Sequence, residues 1–128
     1  MRSGPCTLSI VVPTRNEEAN VAALVSRLNA ALQPCSFEWE LIFVDDSDDG
    51  TAEAVRQIGQ GSVALRLVHR PPGARRGGLG GAVNAGLKLA RGEVVAVMDA
   101  DLQHPPEVLA AIIAPILSGE ADLVAGNR

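Results

Sequence analysis

The segment Glu93–Pro106 reads EVVAVMDADLQHPP, in which an aliphatic run leads directly into two acidic residues one position apart. The apolar run between Gly92 and Asp99 predicts a strand that is buried on both faces. Because side chains alternate along a strand, Asp99 and Asp101 are expected to point to the same side of the backbone. Two carboxylates held that close repel each other unless a cation lies between them or one of them takes up a proton.

A hard divalent cation, Mg²⁺ or Mn²⁺, is the expected occupant near neutral pH, and Gln103 can add a neutral oxygen ligand. The alternative is that the acids only cap a helix that begins after Pro105. One aspartate would be enough for a cap, so the pair is better explained by a metal. The sequence therefore predicts a metal site formed by Asp99, Asp101 and Gln103.

Composition limits the classes of protein to which this chain can belong. The 128 residues make one domain or part of one, and with 47% hydrophobic but only 2% aromatic residues the core must be aliphatic. The net charge of −4 argues against nucleic acid as the main partner. Cys6 and Cys35 have no metal-site spacing and predict a reducing compartment. No apolar run approaches the ~18 residues of a membrane span, and no signal-peptide core follows Met1, so we expect a soluble, cytoplasmic chain.

Apolar runs that predict strands alternate with segments of helical periodicity along the whole chain. The strands are predicted at residues 8–13, 39–44, 63–68, 93–98 and 121–126. Helices are predicted between them, with a long loop of glycine and arginine at 70–81 before a third helix that carries Val83, Leu87 and Leu89. This alternation predicts a single α/β domain over residues 1–128, a three-layer α/β/α fold with a mainly parallel sheet.

Charged residues collect where the predicted strands end. In such sheets, ligands bind outside the carboxyl ends of the strands, so these side chains are expected to form one site. They are Arg15 and Glu17 after the first strand, Asp45 and Asp46 after the second, Arg75 and Arg76 after the third, and Asp99, Asp101 and Gln103 after the fourth.

The glycine-rich loop fits neither common nucleotide motif. A G-x-G-x-x-G pattern from Gly78 would need glycine where Val83 stands, and a P-loop from Gly81 would need lysine where Leu87 stands. The remaining set of acids, arginines and a divalent ion suits a nucleoside diphosphate. Metal and arginine would neutralise the pyrophosphate, while carboxylates accept hydrogen bonds from ribose hydroxyls and base N–H groups.

At this point a family resemblance becomes specific. The segments Val12–Glu18, Val44–Ser47, Gly80–Gly86, Asp99–Pro106 and Gly126–Arg128 occur in the order found in family 2 glycosyltransferases of the GT-A fold. The chain resembles in particular the dolichol- or polyprenol-phosphate mannosyltransferases and their bacterial relatives. The resemblance implies a Rossmann-like nucleotide-binding half, so the chain would be the N-terminal, nucleotide-sugar-binding part of a larger GT-A catalytic domain.

The resemblance also implies roles for the matching residues. Pro13, Arg15, Glu17 and Asp45 would line the nucleotide pocket, supported by Asp46, and Asp99 would lie at the ribose and the metal. Asp101 and Gln103 would be metal ligands, and Asp101 and Arg128 the catalytic pair, with Arg128 meeting phosphate. Asn127, where the family usually has serine, is a departure at this last segment. His104 is assigned to a turn before the prolines rather than to the metal, and His69 receives no function.

The implied activity is an inverting, metal-dependent transfer of mannose from GDP-mannose to a polyprenyl phosphate at the cytoplasmic face of a membrane. A UDP-sugar-dependent glucosyl or aminosugar transferase is the nearest alternative. A nucleotide-binding fragment without turnover and an unrelated structural module are the others, although the intact acids argue against the last. Arg75 and Arg76 would either contact lipid phosphate or be solvated.

Overall fold

The computed structural model describes residues 8–33, 38–59 and 64–100. In these ranges the chain forms a four-stranded, fully parallel sheet with the strand order β3-β2-β1-β4. The strands are β1 (Leu8–Thr14), β2 (Trp39–Asp45), β3 (Leu65–His69) and β4 (Val94–Val97). The fifth strand predicted at 121–126 and the helix predicted after Pro105 lie outside the described residues.

Helices cover both faces of the sheet, as the alternating sequence predicted. They are α1 (Glu18–Leu32), α2 (Thr51–Ile58) and α3 (Gly78–Leu89), with a short 3₁₀ turn at Pro72–Ala74. Because parallel crossovers are right-handed, α1 and α2 lie on one face and α3, whose connection runs the opposite way along the sheet, lies on the other. The three-layer α/β/α fold class is thereby confirmed. None of these helices is long and apolar enough to span a membrane.

The larger core lies between the sheet and the helices α1 and α2. Alternate residues of β1 and β2 point into it, and Phe43 is its largest fully buried side chain. The buried face of α1 meets them with residues at helical spacing. Its members are Val21, Leu24, Val25, Leu28 and Leu32. Burying each such aliphatic side chain stabilises the fold by about 1.5–3 kcal/mol, so a core with few aromatic residues still contributes strongly to the stability of the domain.

The second core, under α3, depends on small residues. Ala82 and Gly86 of α3 lie directly against Val11 and Val44 of the sheet. Val83 is half-buried on this helix, and Leu87 is 45% exposed. A leucine in place of Ala82 or Gly86 would hold the helix away from the strands.

The helix α3 begins earlier than the sequence predicted. The sequence predicts a loop over residues 70–81, yet α3 starts at Gly78. The preceding Gly77 has φ +79, a left-handed conformation that ends the loop and that glycine adopts without steric cost. The sequence predicts loop here because glycine has a low helix propensity and four glycines stand within residues 77–81.

The expectation that β4 is buried on both faces was wrong for the described part of the chain. Val94 and Ala96 pack against the larger core, but Val95 and Val97 on the opposite face are 37% and 48% exposed. In the described residues β4 pairs only with β1, at one edge of the sheet. The helix α3 packs over β1 and β2 instead. An aliphatic run does not show how much of each strand face the neighbouring elements will cover.

The strand order reverses between β1 and β4. The chain moves from β1 through β2 to β3 in one direction and then crosses back to place β4 on the other side of β1. At such a switch point the connections leave in opposite directions and a crevice opens at the carboxyl edge of the sheet. The fold therefore specifies where a ligand site belongs.

Candidate functional site

A cavity of about 380 Å³ opens at this switch point. Its walls come from the end of β1, from the residues that follow β1, β2 and β4, from the loop after β3, and from the first two turns of α3. The lining residues are Pro13, Thr14, Arg15, Glu17, Asp46, Arg75, Gly78, Leu79, Ala82, Asp99 and Ala100. A volume of this size is typical of small-molecule sites.

The structure brings together most of the residues that the sequence assigned to a nucleotide pocket. Pro13, Arg15, Glu17, Asp46 and Asp99 all line the cavity. The remaining predicted site residues, apart from Asp45, lie outside the described ranges. They are Asp101, Gln103 and Arg128.

Asp45 lies behind the cavity wall rather than in it. Its side chain is fully buried, and Oδ1 accepts hydrogen bonds from the hydroxyls of Thr14 and Ser47, both at 2.6 Å. On the other carboxylate oxygen, Oδ2 lies 2.7 Å from Nδ1 of His69. The resemblance implies that Asp45 lines the nucleotide pocket and that Asp46 supports it; in this structure Asp46 lines the cavity and Asp45 lies buried behind it. Asp45 joins the ends of β1, β2 and β3.

Asp46 presents a buried carboxylate to the cavity. Arg70 donates to both of its oxygens, from Nε to Oδ1 and from Nη2 to Oδ2, each at 2.7 Å. This hydrogen-bonded pair lowers the pKa of Asp46, with the positive charges of Arg75 and Arg15 adding to the effect, and together they outweigh the burial that raises it. Asp46 is therefore ionised at neutral pH and can only accept hydrogen bonds.

Arg70 is the site residue that sequence reasoning missed. The parallel register pairs Asp45 with His69, so the next residue on each strand, Asp46 and Arg70, are neighbours. An acid and a base that each follow a predicted strand by two positions were visible in the sequence. The strand register needed to pair them was not.

The turn after β1 is locked to the loop after β2. Asn16 has φ +55, and its backbone N–H donates to the Ser47 hydroxyl at 2.7 Å. Its side-chain Oδ1 accepts from the N–H of Asp48 at 3.0 Å. The N–H of Glu17 donates to the Thr51 hydroxyl, also at 3.0 Å. These bonds fix the backbone of the turn that carries Arg15 and Glu17, whose side chains line the cavity.

Arg75 is held by protein groups at the cavity rim. Its guanidinium donates to Oδ1 of Asp48 at 2.8 Å and to the carbonyl of Ser47 at 2.7 Å. Its Nε donates to the carbonyl of Arg70 at 2.8 Å. The alternative that Arg75 is simply solvated is therefore wrong, since only 12% of its side chain is exposed. Arg75 closes the loop between β3 and α3 against the end of β2.

Asp99 follows β4 and is the one predicted metal ligand in the described part of the chain. Among the described residues, no group of three or more His, Cys, Asp or Glu side chains is arranged to hold a metal ion. The Asp99 carboxylate supplies the hard oxygen donor that Mg²⁺ and Mn²⁺ prefer, and so the residue present fits such an ion. The complete ligand set, with Asp101 and Gln103, stays a prediction.

A parallel α/β sheet with an acid- and arginine-lined cavity at its switch point is typical of α/β domains that bind their ligands outside the carboxyl ends of the strands. Comparison with known families makes the class specific. The family model of glycosyl transferase family 2 matches residues 9–128, and the chain belongs to this family. The resemblance seen in the sequence motifs is thereby confirmed.

Two curated relatives and one solved structure illustrate the similarity. The chain is 41% identical over 123 residues to the dodecaprenyl-phosphate galacturonate synthase of Rhizobium johnstonii, covering 94% of this chain and 36% of the relative. It is 39% identical over 121 residues to the dolichol-phosphate mannosyltransferase of Pyrococcus furiosus, covering 94% and 33%. It superposes on the glucosyl-3-phosphoglycerate synthase of Mycobacterium tuberculosis, solved with Mn²⁺, UDP and glucosyl-3-phosphoglycerate, with a TM-score of 0.69 and 29% identity, covering 92% of this chain and 42% of that one. The chain spans about a third of the length of the two curated relatives.

Proposed function

We propose that this chain is the nucleotide-sugar-binding part of an inverting glycosyltransferase that transfers a sugar to a polyprenyl phosphate. The single observation that carries the proposal is the cavity at the switch point, where Asp46, Asp99 and Arg15 meet. Both curated relatives are named for sugar transfer to a polyprenyl or dolichyl phosphate. Mannose from GDP-mannose is the proposed donor, and the cytoplasmic face of a membrane is the proposed place of reaction.

The donor nucleotide would bind along the carboxyl edge of the sheet. Asp46, which is ionised, would accept a hydrogen bond from a base N–H, and Asp99 would accept from the ribose. Arg15 supplies a positive charge near the diphosphate, while Pro13 and Glu17 complete the wall beside β1. Asp45 supports this wall from behind through Thr14 and Ser47, so its proposed role is positional.

A divalent cation would be held by Asp99, Asp101 and Gln103. When bound, Mg²⁺ or Mn²⁺ neutralises charge on the diphosphate leaving group. Arg128 would contact phosphate on the same group.

The acceptor chemistry requires little from the protein. A polyprenyl phosphate is already anionic at neutral pH, so no general base is needed to create the nucleophile. The residues of the site would contribute by orienting donor and acceptor and by placing positive charge near the leaving group. A sugar hydroxyl acceptor would instead require a carboxylate base.

A thermal-shift screen of GDP, UDP and their sugars, each with and without Mn²⁺, tests the proposal. We expect a metal-dependent stabilisation that is larger for GDP than for UDP. A larger shift with UDP would favour the alternative, a UDP-sugar-dependent transferase, which is supported by the structural similarity to a UDP-bound synthase. A chain that responds to no nucleotide would overturn both.

A further inference from the structure

We infer that Arg70 is a positioning residue of the nucleotide site, one that holds the two walls of the cavity in register without lining the cavity itself. The inference rests on the proposed function in one respect, namely that Asp46 receives the nucleobase. It adds a residue to which neither the motifs nor the family resemblance gave a role.

A single guanidinium joins opposite walls of the cavity. Nε and Nη2 of Arg70 donate to the two carboxylate oxygens of Asp46, both at 2.7 Å. Nη2 also donates to the carbonyl of Gly78 at 2.9 Å, and Nη1 to the carbonyl of Arg76 at 3.1 Å. Asp46 follows β2, whereas Gly78 begins α3, and both line the cavity. Arg70 therefore sets the distance between the acid that faces the ligand and the helix start opposite it.

The position of Arg70 is itself fixed by the protein. Its side chain is only 11% exposed, and its backbone N–H donates to the carbonyl of Asp45 at 2.7 Å. Its own carbonyl accepts from Nε of Arg75 at 2.8 Å. These contacts are made by protein groups, so the protein itself can hold the Arg70 side chain in position. Such preorganisation lowers the cost of ordering a site on binding.

The fork geometry also determines how Asp46 can be used. Two parallel N–H···O bonds occupy the end of the carboxylate, so a nucleobase N–H must approach one oxygen from the side. A lysine could supply the charge but not both bonds to Asp46 together with those to the loop carbonyls. Loss of the fork would leave the Asp46 carboxylate free to turn and the start of α3 untied.

The test compares three variants by calorimetric titration of GDP and UDP with Mn²⁺ between pH 4 and pH 7.5. Arg70→Gln is expected to weaken nucleotide binding about tenfold to a hundredfold, the range expected for lost hydrogen bonds to a charged group. Arg70→Lys should recover part of the loss. Arg56→Gln removes an exposed arginine of α2, paired with Glu53 at 3.5 Å, and should bind as the parent chain does.

The pH profile separates positioning from a general loss of structure. In Arg70→Gln the pKa of Asp46 loses its main lowering influence, and only Arg75 and Arg15 remain to oppose its burial. Binding should then be lost at a higher pH than in the parent chain. Equal weakening of nucleotide binding at every pH, or no weakening, would overturn the inference.

If Arg70→Gln shows no cooperative thermal unfolding, the pH profile of nucleotide binding by Arg70→Lys provides the test instead. If the parent chain binds no nucleotide, the proposed function fails. In that case the inference about Arg70 fails as well. If the parent chain binds nucleotide but no more tightly than Arg70→Gln does, only the inference about Arg70 is refuted.

Discussion

Two adjacent aspartates of identical chemistry have different positions because side chains alternate at the end of β2. Asp45 points into the protein, where Thr14, Ser47 and His69 contact its carboxylate. Asp46 points to the cavity. The neighbouring elements, and not the residue type, decide which of the two acids faces the cavity.

Replacing Asp45 by asparagine should therefore act on stability. The amide NH₂ cannot accept a hydrogen bond, so at least one buried donor loses its partner. We expect the free energy of unfolding to fall by about 2–3 kcal/mol, measured by urea denaturation. Glu53→Gln, on the exposed face of α2, is the matched control and should change it by no more than about 0.5 kcal/mol. An Asp45→Asn chain as stable as its parent would contradict the structural role.

Asp101→Asn should act on the metal instead. The proposed ion site loses a charged oxygen ligand, so the part of nucleotide affinity that depends on Mn²⁺ should disappear while the metal-independent part remains. Calorimetry with Mn²⁺ and with EDTA measures the two parts, and Glu53→Gln again provides the control. Unchanged affinity in both conditions would refute the assignment of Asp101.

At the scale of single elements, α3 shows how closely a helix can approach a sheet. A Cβ added at Gly86 would lie 2.4 Å from Cγ1 of Val11 and 3.2 Å from Cγ2 of Val44, so the helix would have to move. We expect Gly86→Ala to destabilise the fold by about 1–3 kcal/mol through overpacking. It should also weaken nucleotide binding, because the first turn of α3 lines the cavity.

Gly80→Ala is the control for this prediction. It places the same methyl group on the same helix, where nothing lies within 4 Å. Because alanine favours helix over glycine, stability should be unchanged or rise by up to about 1 kcal/mol. Thermal unfolding of the two variants side by side tests the prediction, and equal behaviour would contradict the packing described here.

At the amino ends of the strands, opposite the cavity, a polar network around Glu40 links neighbouring strands. Ser9 donates to its Oε2 at 2.5 Å, the N–H of Arg91 donates to the same oxygen at 2.8 Å, and Arg66 donates to Oε1 at 3.0 Å. Burial alone would raise the pKa of Glu40, but these hydrogen bonds and the Arg66 charge outweigh it and lower the pKa. The network connects β1, β2 and β3 with the turn before β4.

This network predicts a pH dependence of stability. A folded-state pKa below the unfolded value contributes stability at pH values above the unfolded pKa of about 4.3. That contribution is lost as the pH falls through the folded-state pKa. Glu40→Gln should therefore lower the free energy of unfolding by about 1–2 kcal/mol at pH 7, with the difference from the parent narrowing below about pH 4. A difference that stays constant down to pH 3 would contradict the role of the Glu40 charge.

The existence and type of the elements were largely predictable from the sequence. Their exact bounds and their packing against neighbouring elements were not. Aliphatic runs and helical periodicity located β1, β2 and α1 because those elements are buried in the regular patterns that sequence records. The exposure of Val97 and the early start of α3 at Gly78 depend on how the described elements pack against each other, which the sequence pattern does not record. In the site, the strand ends pointed to Arg15 and Asp99, whereas the pairing of Asp46 with Arg70 needed the strand register.

In the molecule as a whole, the amino ends and the carboxyl ends of the strands differ in what they contact. Glu40 and its partners close the amino-terminal edge with protein contacts, and the cavity occupies the carboxyl edge. A ligand at the switch point touches the ends of β1, β2 and β4 together with the start of α3. Binding should therefore tie together elements that are distant in sequence.

Hydrogen exchange can detect this division. With saturating GDP and Mn²⁺, amides that exchange by local opening should slow most at the loops after β1 and β2 and at the first turn of α3, since the ligand contacts those segments. Amides of the turn at Arg91 and Gly92, in the network at the opposite edge, should change least. At a ligand concentration of about 100 times Kd, the gain in global stability is about 2.7 kcal/mol, which sets the upper limit for slowing by global unfolding. Arg70→Gln should reduce the local slowing at Gly78 more than Arg56→Gln does. Equal slowing at both edges in the parent chain would show that the ligand stabilises the fold as a whole without occupying the switch-point cavity.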